Sequence, residues 1–177
     1  GTVALTDGDF TQTGTGVSLS GGSADIEDLN FISGVGNAVS ISSSVSGDID
    51  GMTGTSRNAI VAIDSNGFSV SNIDMSGERL VNSWSAGNLS ISDAIYDSTS
   101  AETPIDIRTS QTVSLSNIAL TGQFGTSQGS YTAPWIGMFL AGSGTFHVDN
   151  SSIEATDTAL VTRGTGTLSI SDSLFTS

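Results

Sequence analysis

The chain has 177 residues, no cysteine and no lysine, and its four arginines stand against 18 acidic residues for a formal charge of −14. That balance excludes nucleic acid as a natural partner, because phosphate binding needs a basic face, and it argues equally against an anionic membrane surface. Without cysteine there is no disulfide framework or thiolate metal site, and with no apolar run of about 18 residues no stretch reads as membrane-inserted.

From the N-terminus onward one short phrase recurs: apolar, polar, apolar, polar, then Asn, Asp or Gly, then a second apolar segment. Val3-Ala4-Leu5-Thr6-Asp7, Ile26-Glu27-Asp28-Leu29 and Ile49-Asp50-Gly51-Met52 are its first, weaker copies. Ser69-Val70-Ser71-Asn72-Ile73-Asp74-Met75 is the full form. It is followed by Leu89-Ser90-Ile91-Ser92-Asp93 and Val113-Ser114-Leu115-Ser116-Asn117, then Phe146-His147-Val148-Asp149-Asn150 and Leu168-Ser169-Ile170-Ser171-Asp172. Period-2 alternation predicts a strand with one buried face. Ile26, Ile49, Val70, Ile91, Leu115, Val148 and Ile170 are therefore expected to form one buried row.

The residue after each alternating run is a predicted bend. Short polar side chains and glycine tolerate the left-handed backbone region, and Asn and Asp also bond to nearby backbone. The bends are Asp7, Asp28, Gly51, Asn72, Asp93, Asn117, Asn150 and Asp172, at steps of 21, 23, 21, 21, 24, 33 and 22. A second apolar marker runs in phase through Val17, Val39, Ile60, Val81, Ile105, Ile136 and Leu160, at steps of 22, 21, 21, 24, 31 and 24. Two markers sharing one period point to a stacked solenoid. No helical stripe competes, and Gly, Ser and Thr occur throughout. The fold expected is all-β: a right-handed parallel β-helix of about eight coils with three short strands each, on the order of 38 Å long at about 4.8 Å per coil. Residues 1–177 read as a single β-helix domain. The repeat starts almost at Gly1 and is intact close to Ser177, which reads as a segment of a longer chain or a unit that stacks on further copies.

This pattern resembles the right-handed parallel β-helix repeat family, the pectate-lyase-like superfamily that includes polygalacturonases, phage tailspikes and passenger domains of secreted adhesins. The resemblance covers nearly the whole chain and implies a fold, since one fold hosts many functions. The catalytic signatures of the pectinolytic members are incomplete. Asn72-Ile73-Asp74 is a fragment of the polygalacturonase Asn-Thr-Asp motif, but Asp-Asp, Gly-His-Gly, Arg-Ile-Lys and the lyase Arg-x-Pro-x-x-Arg element are absent. An acidic rod would also repel an acidic polysaccharide. His147 and Asp149 share a face but have no nucleophile beside them in sequence, and the outward carboxylates Asp97, Glu102 and Asp106 are not singled out by any motif.

Three other features bear on binding. The step of 33 marks an inserted loop, residues 122–135, whose Phe124, Tyr131 and Trp135 sit among Gln, Ser and Thr. It reads either as a sugar-contacting loop or as a flap folded onto the rod. On the third strand, Trp84, Arg108, Phe139 and Arg163 are expected to alternate aromatic and cation along one outward line, a contact surface for a ligand or a covering segment. Outward serines, Ser69, Ser90, Ser114 and Ser169 in one row and Ser71, Ser92, Ser116 and Ser171 in the next, fit either a solvated sheet face or a flat hydroxyl surface for glycan or ice. The bend ladder itself reads as structural rather than as a row of ligands.

Asp48-Ile49-Asp50-Gly51 is a fragment of a calcium loop without its later ligands, so no cofactor is assigned and only weak, unplaced calcium binding is allowed for. Asn88-Leu89-Ser90 and Asn150-Ser151-Ser152 match glycosylation sequons. These features lead to an expected function: a non-catalytic structural and adhesive module of an extracellular or cell-surface protein, with glycan-binding capacity. The alternatives are a subunit that stacks end to end into a filament or sheath, and third a polysaccharide-degrading enzyme. The partners expected are other copies or adjoining coils of the same protein and carbohydrate.

Overall fold

The structure is a computed structural model and describes residues 1–11, 14–99, 102–122, 136–155 and 157–177, with residues 33–35 by backbone only. The described residues form β1 (Thr2–Phe10), β2 (Thr15–Ile63), β3 (Gly67–Trp84), β4 (Asn88–Ser98), β5 (Ile105–Arg108) and β6 (Thr112–Gly122). β7 (Ile136–Gly142), β8 (Thr145–Asp149), β9 (Ser152–Glu154), β10 (Thr158–Gly164), β11 (Thr167–Ser171) and β12 (Leu174–Thr176) follow. Strands make up 83% of the described residues and wind into a parallel β-solenoid of about seven turns. In the first coils hydrogen bonding continues through the corners, so β2 runs unbroken for 49 residues where separate short strands were expected.

Each coil pairs with its neighbours one period away, always parallel. Leu5 lies opposite Ile26, and Ile49, Val70, Ile91, Leu115, Val148 and Ile170 follow one another across β2, β3, β4, β6, β8 and β11. Six of the seven residues expected in this row are no more than 1% exposed. Ile170 keeps the register but is 44% exposed, because Val148 covers it on one side only. Parallel rows fill the rest of the tube. Met52, Ile73, Ala94 and Ile118 form one, and Met75, Tyr96, Leu120 and Ile153 another. A stacked Phe10–Phe31 pair, with centroids 5.2 Å apart, lies between the first coils.

All eight bend residues have positive φ, from 45° to 84°. Some of their side chains also bond from coil to coil. The Asn117 amide donates to Asp93 Oδ1 at 2.8 Å, and the Asn150 amide donates to Asn117 Oδ1 at 2.6 Å. Where the preceding bend is Gly51 there is no side chain to meet, and Asn72 donates instead to Asp50 Oδ1 at 2.5 Å. A different glycine, Gly142 (φ 121°), is required by close approach: a Cβ there would lie 2.0 Å from the Thr109 carbonyl oxygen of the coil below.

Eight bends bound seven intervals, so the solenoid has about seven turns, in keeping with the expected count of about eight coils. One expectation is corrected, the register after the long insertion. Met138, not Ile136, lies opposite Ile105 and Leu160. With Met138 as the marker, the last steps become 33 and 22 and match those of the bends.

Candidate functional site

The third-side strands β3, β5, β7 and β10 lie side by side in the sheet. In β3, buried Val81 and Ser83 alternate with Asn82 and Trp84, so the strand's last residue faces out. Register puts Ile63, Trp84, Arg108, Ala141 and Arg163 in one outer row. Phe139 therefore does not stand in line with Trp84, Arg108 and Arg163 as the sequence pattern suggested. It lies one outward position earlier, opposite Asp106 and Val161. The slip is two residues, which preserves the face because side chains alternate with period 2.

The shifted position still brings the rings and the cation together. The Arg108 guanidinium sits 5.4 Å from the Trp84 ring centroid and 5.2 Å from that of Phe139. Each contact is worth about 0.5–1 kcal/mol at an exposed site. Asp106, two residues back on the same face, clamps the guanidinium at both ends. Arg108 Nε donates to Oδ1 and an Arg108 terminal nitrogen donates to Oδ2, each at 2.9 Å. The hydrogen bond to Asp106 raises the Arg108 pKa, so its charge is permanent and already matched. Asp106 is itself 8% exposed. Sequence reasoning named Asp106 only as an outward carboxylate; the Asp106-Ile107-Arg108 spacing, which places acid and base on one strand face, was the signal available.

Trp84 is 50% exposed and its row neighbour Ile63 43%, an apolar surface left open beside the stack. Arg163 is exposed, and among the described residues it has no ion pair or ring contact. Arg57 and Arg79 lie away from this row and pair with Glu78 and Glu102. Phe124, Tyr131 and Trp135, with nearly all of the 122–135 insertion, lie outside the described residues.

A groove of about 670 Å³ runs along the corner just past these strand ends, and Arg108 forms part of its wall. Polar residues of successive coils line it, among them Ser65, Ser85, Asn88, Thr109 and Gln111. Thr109 fixes the wall: its hydroxyl donates to the Ala86 carbonyl at 2.7 Å and accepts from the Gln111 N–H at 3.1 Å. Ser65 is 4% exposed, and its buried hydroxyl has no hydrogen-bond partner among the described residues.

The other candidates lie on the outer face of the first strands of each coil. Ser69, Ser90 and Ser114 are in register, as are Ser71, Ser92 and Ser116, forming the two hydroxyl rows. His147 stands between Ser114 and Ser169, while Asp149 accepts the Ser171 hydroxyl at 2.5 Å. Asp50 accepts from Ser71 and Asn72, which holds its carboxyl below the usual range. Among the described residues no three His, Asp or Glu side chains converge as a metal site, and no helix is long and apolar enough to cross a membrane. No protein-family model, curated protein or solved structure matches this chain.

Proposed function

We propose that this chain is a non-catalytic structural and adhesive β-solenoid module, working outside the cell or at its surface, that binds carbohydrate through the Trp84 surface. The observation that carries the reading is the Trp84–Arg108–Phe139 stack with Trp84 half open to solvent. Leaving an indole in water forfeits burial free energy, and an aromatic held rigidly by a clamped arginine is a preorganised platform for a ring-shaped, partly apolar ligand. The adjoining polar groove supplies hydrogen-bonding groups within reach of such a ligand. The parallel pairing of strands from coil to coil among the described residues supports the spacer role.

The test is a glycan array probed with the purified chain and with Trp84→Ala. The expected result is binding to a carbohydrate class that the variant loses, while its thermal unfolding stays near that of the parent. Failure of the parent chain to bind any glycan, or equal binding by Trp84→Ala, would refute the proposal. Filament assembly, the competing reading, instead predicts concentration-dependent rods in sedimentation, unaffected by Trp84→Ala.

A further inference from the structure

Building on the carbohydrate-binding reading, we infer that the ligand is an uncharged oligosaccharide, lying in the corner groove with one sugar ring against Trp84. The groove's volume of about 670 Å³ falls within the roughly 300–1,000 Å³ of small-ligand sites. Its lining residues come from four successive coils, around Asp64–Asn66, Ser85–Asn88, Arg108–Gln111 and Ala141–Ser143. Three intervals of about 4.8 Å make it roughly 14 Å long, the length of a short oligosaccharide. Trp84 does not line the groove itself but stacks on Arg108, which does, so its ring lies beside one wall.

Charge decides the class of sugar. The ionisable groups lining the groove are Asp64 and Arg108. Asp106 meets the Arg108 charge at both ends, so the guanidinium is not free to recruit an anion. Asp64 then leaves the groove negative, within a chain whose formal charge is −14. A uronate, sialate or sulfated chain is repelled both locally and at long range. The remaining lining groups are serine, threonine, asparagine and glutamine side chains with exposed backbone, a set of neutral donors and acceptors that suits sugar hydroxyls.

We would titrate the 15N-labelled chain with neutral hexasaccharides of glucose, mannose, galactose and xylose, and with hexagalacturonate, following amide shifts by NMR and affinity by calorimetry. At least one neutral hexasaccharide should shift the amides of Gly87 and Gln111, and hexagalacturonate should bind tenfold or more weakly. Gln111→Ala should weaken neutral binding several-fold while leaving the fold intact, since the Gln111 side chain lines the groove and is exposed, and the Gln111 bond to Thr109 is made by its backbone N–H. Hexagalacturonate binding as tightly as the neutral chains, with Trp84→Ala still abolishing it, would overturn this inference and leave the carbohydrate reading standing. Neutral binding unchanged by Gln111→Ala, or shifts confined to residues away from the groove, would also overturn it. Absence of binding by every hexasaccharide would overturn both.

Discussion

The stacking of equivalent residues can be tested by truncating one row at two places. Ile91 is fully buried between Val70 and Leu115, whereas Ile170 is 44% exposed and touches only the Val148 side of the same row. Ile→Ala removes three carbons, worth about 0.8 kcal/mol each when fully buried. At Ile91 the transfer loss is therefore about 2.4 kcal/mol, and a cavity penalty adds to it. The coils above and below are held about 4.8 Å apart by backbone hydrogen bonds and cannot close over the gap. The expected cost is about 3–5 kcal/mol. At Ile170 solvent fills the space, so only the transfer loss applies, reduced in proportion to burial, to about 1–1.5 kcal/mol. Guanidinium unfolding followed by circular dichroism gives the global difference. Hydrogen exchange over the 70–115 and 148–170 segments shows where protection is lost, which matters because repeat arrays unfold locally. Costs within 1 kcal/mol of one another, or Ile170 the more costly, would refute the idea that burial in this row comes from coil-on-coil stacking.

Two further outcomes concern the bends and the outer acids. Asn117→Ala loses the bonds to Asp93 and Asn150, about 0.5–1.5 kcal/mol each, and places a Cβ residue at φ 54°. With about 1 kcal/mol for that backbone, the loss should reach about 2–4 kcal/mol. Asn117→Gly, which keeps the backbone freedom, should cost less; a thermal melt showing Ala as well tolerated as Gly would contradict the bend assignment. Asp50 is ionised and bonded in the fold, with its pKa lowered from 3.8 by Ser71 and Asn72. Its contribution is present above 3.8 and is lost as pH falls through the lowered folded value. The stability gap between the parent chain and Asp50→Asn should therefore be open at pH 7 and close below pH 3.8. A gap in urea melts that does not change with pH would show that the hydrogen bonds do not favour the ionised form.

Strand polarity, the buried rows and the bends were legible because each coil repeats the same local chemistry. Val70-Ser71-Asn72, Ile91-Ser92-Asp93 and Leu115-Ser116-Asn117 each specify an inward residue, an outward residue and a left-handed turn without reference to the others. Their common period then implies stacking. Outward placement of Trp84 and Arg108 follows from the same alternation. The position of Phe139 could not be read that way. Ile136 and Met138 are both apolar and have the same parity, so either satisfies a period-2 pattern, and an insertion of free length precedes them. Pairing with Ile105 selects Met138, and that choice moves Phe139 opposite Asp106 and against Arg108. The groove likewise depends on tertiary structure alone. Its walls come from corners more than 20 residues apart, brought about 4.8 Å from each other by the winding of the chain. No local pattern records that Ser65, Asn88 and Gln111 share one surface, because their proximity is a property of the coils and not of any segment.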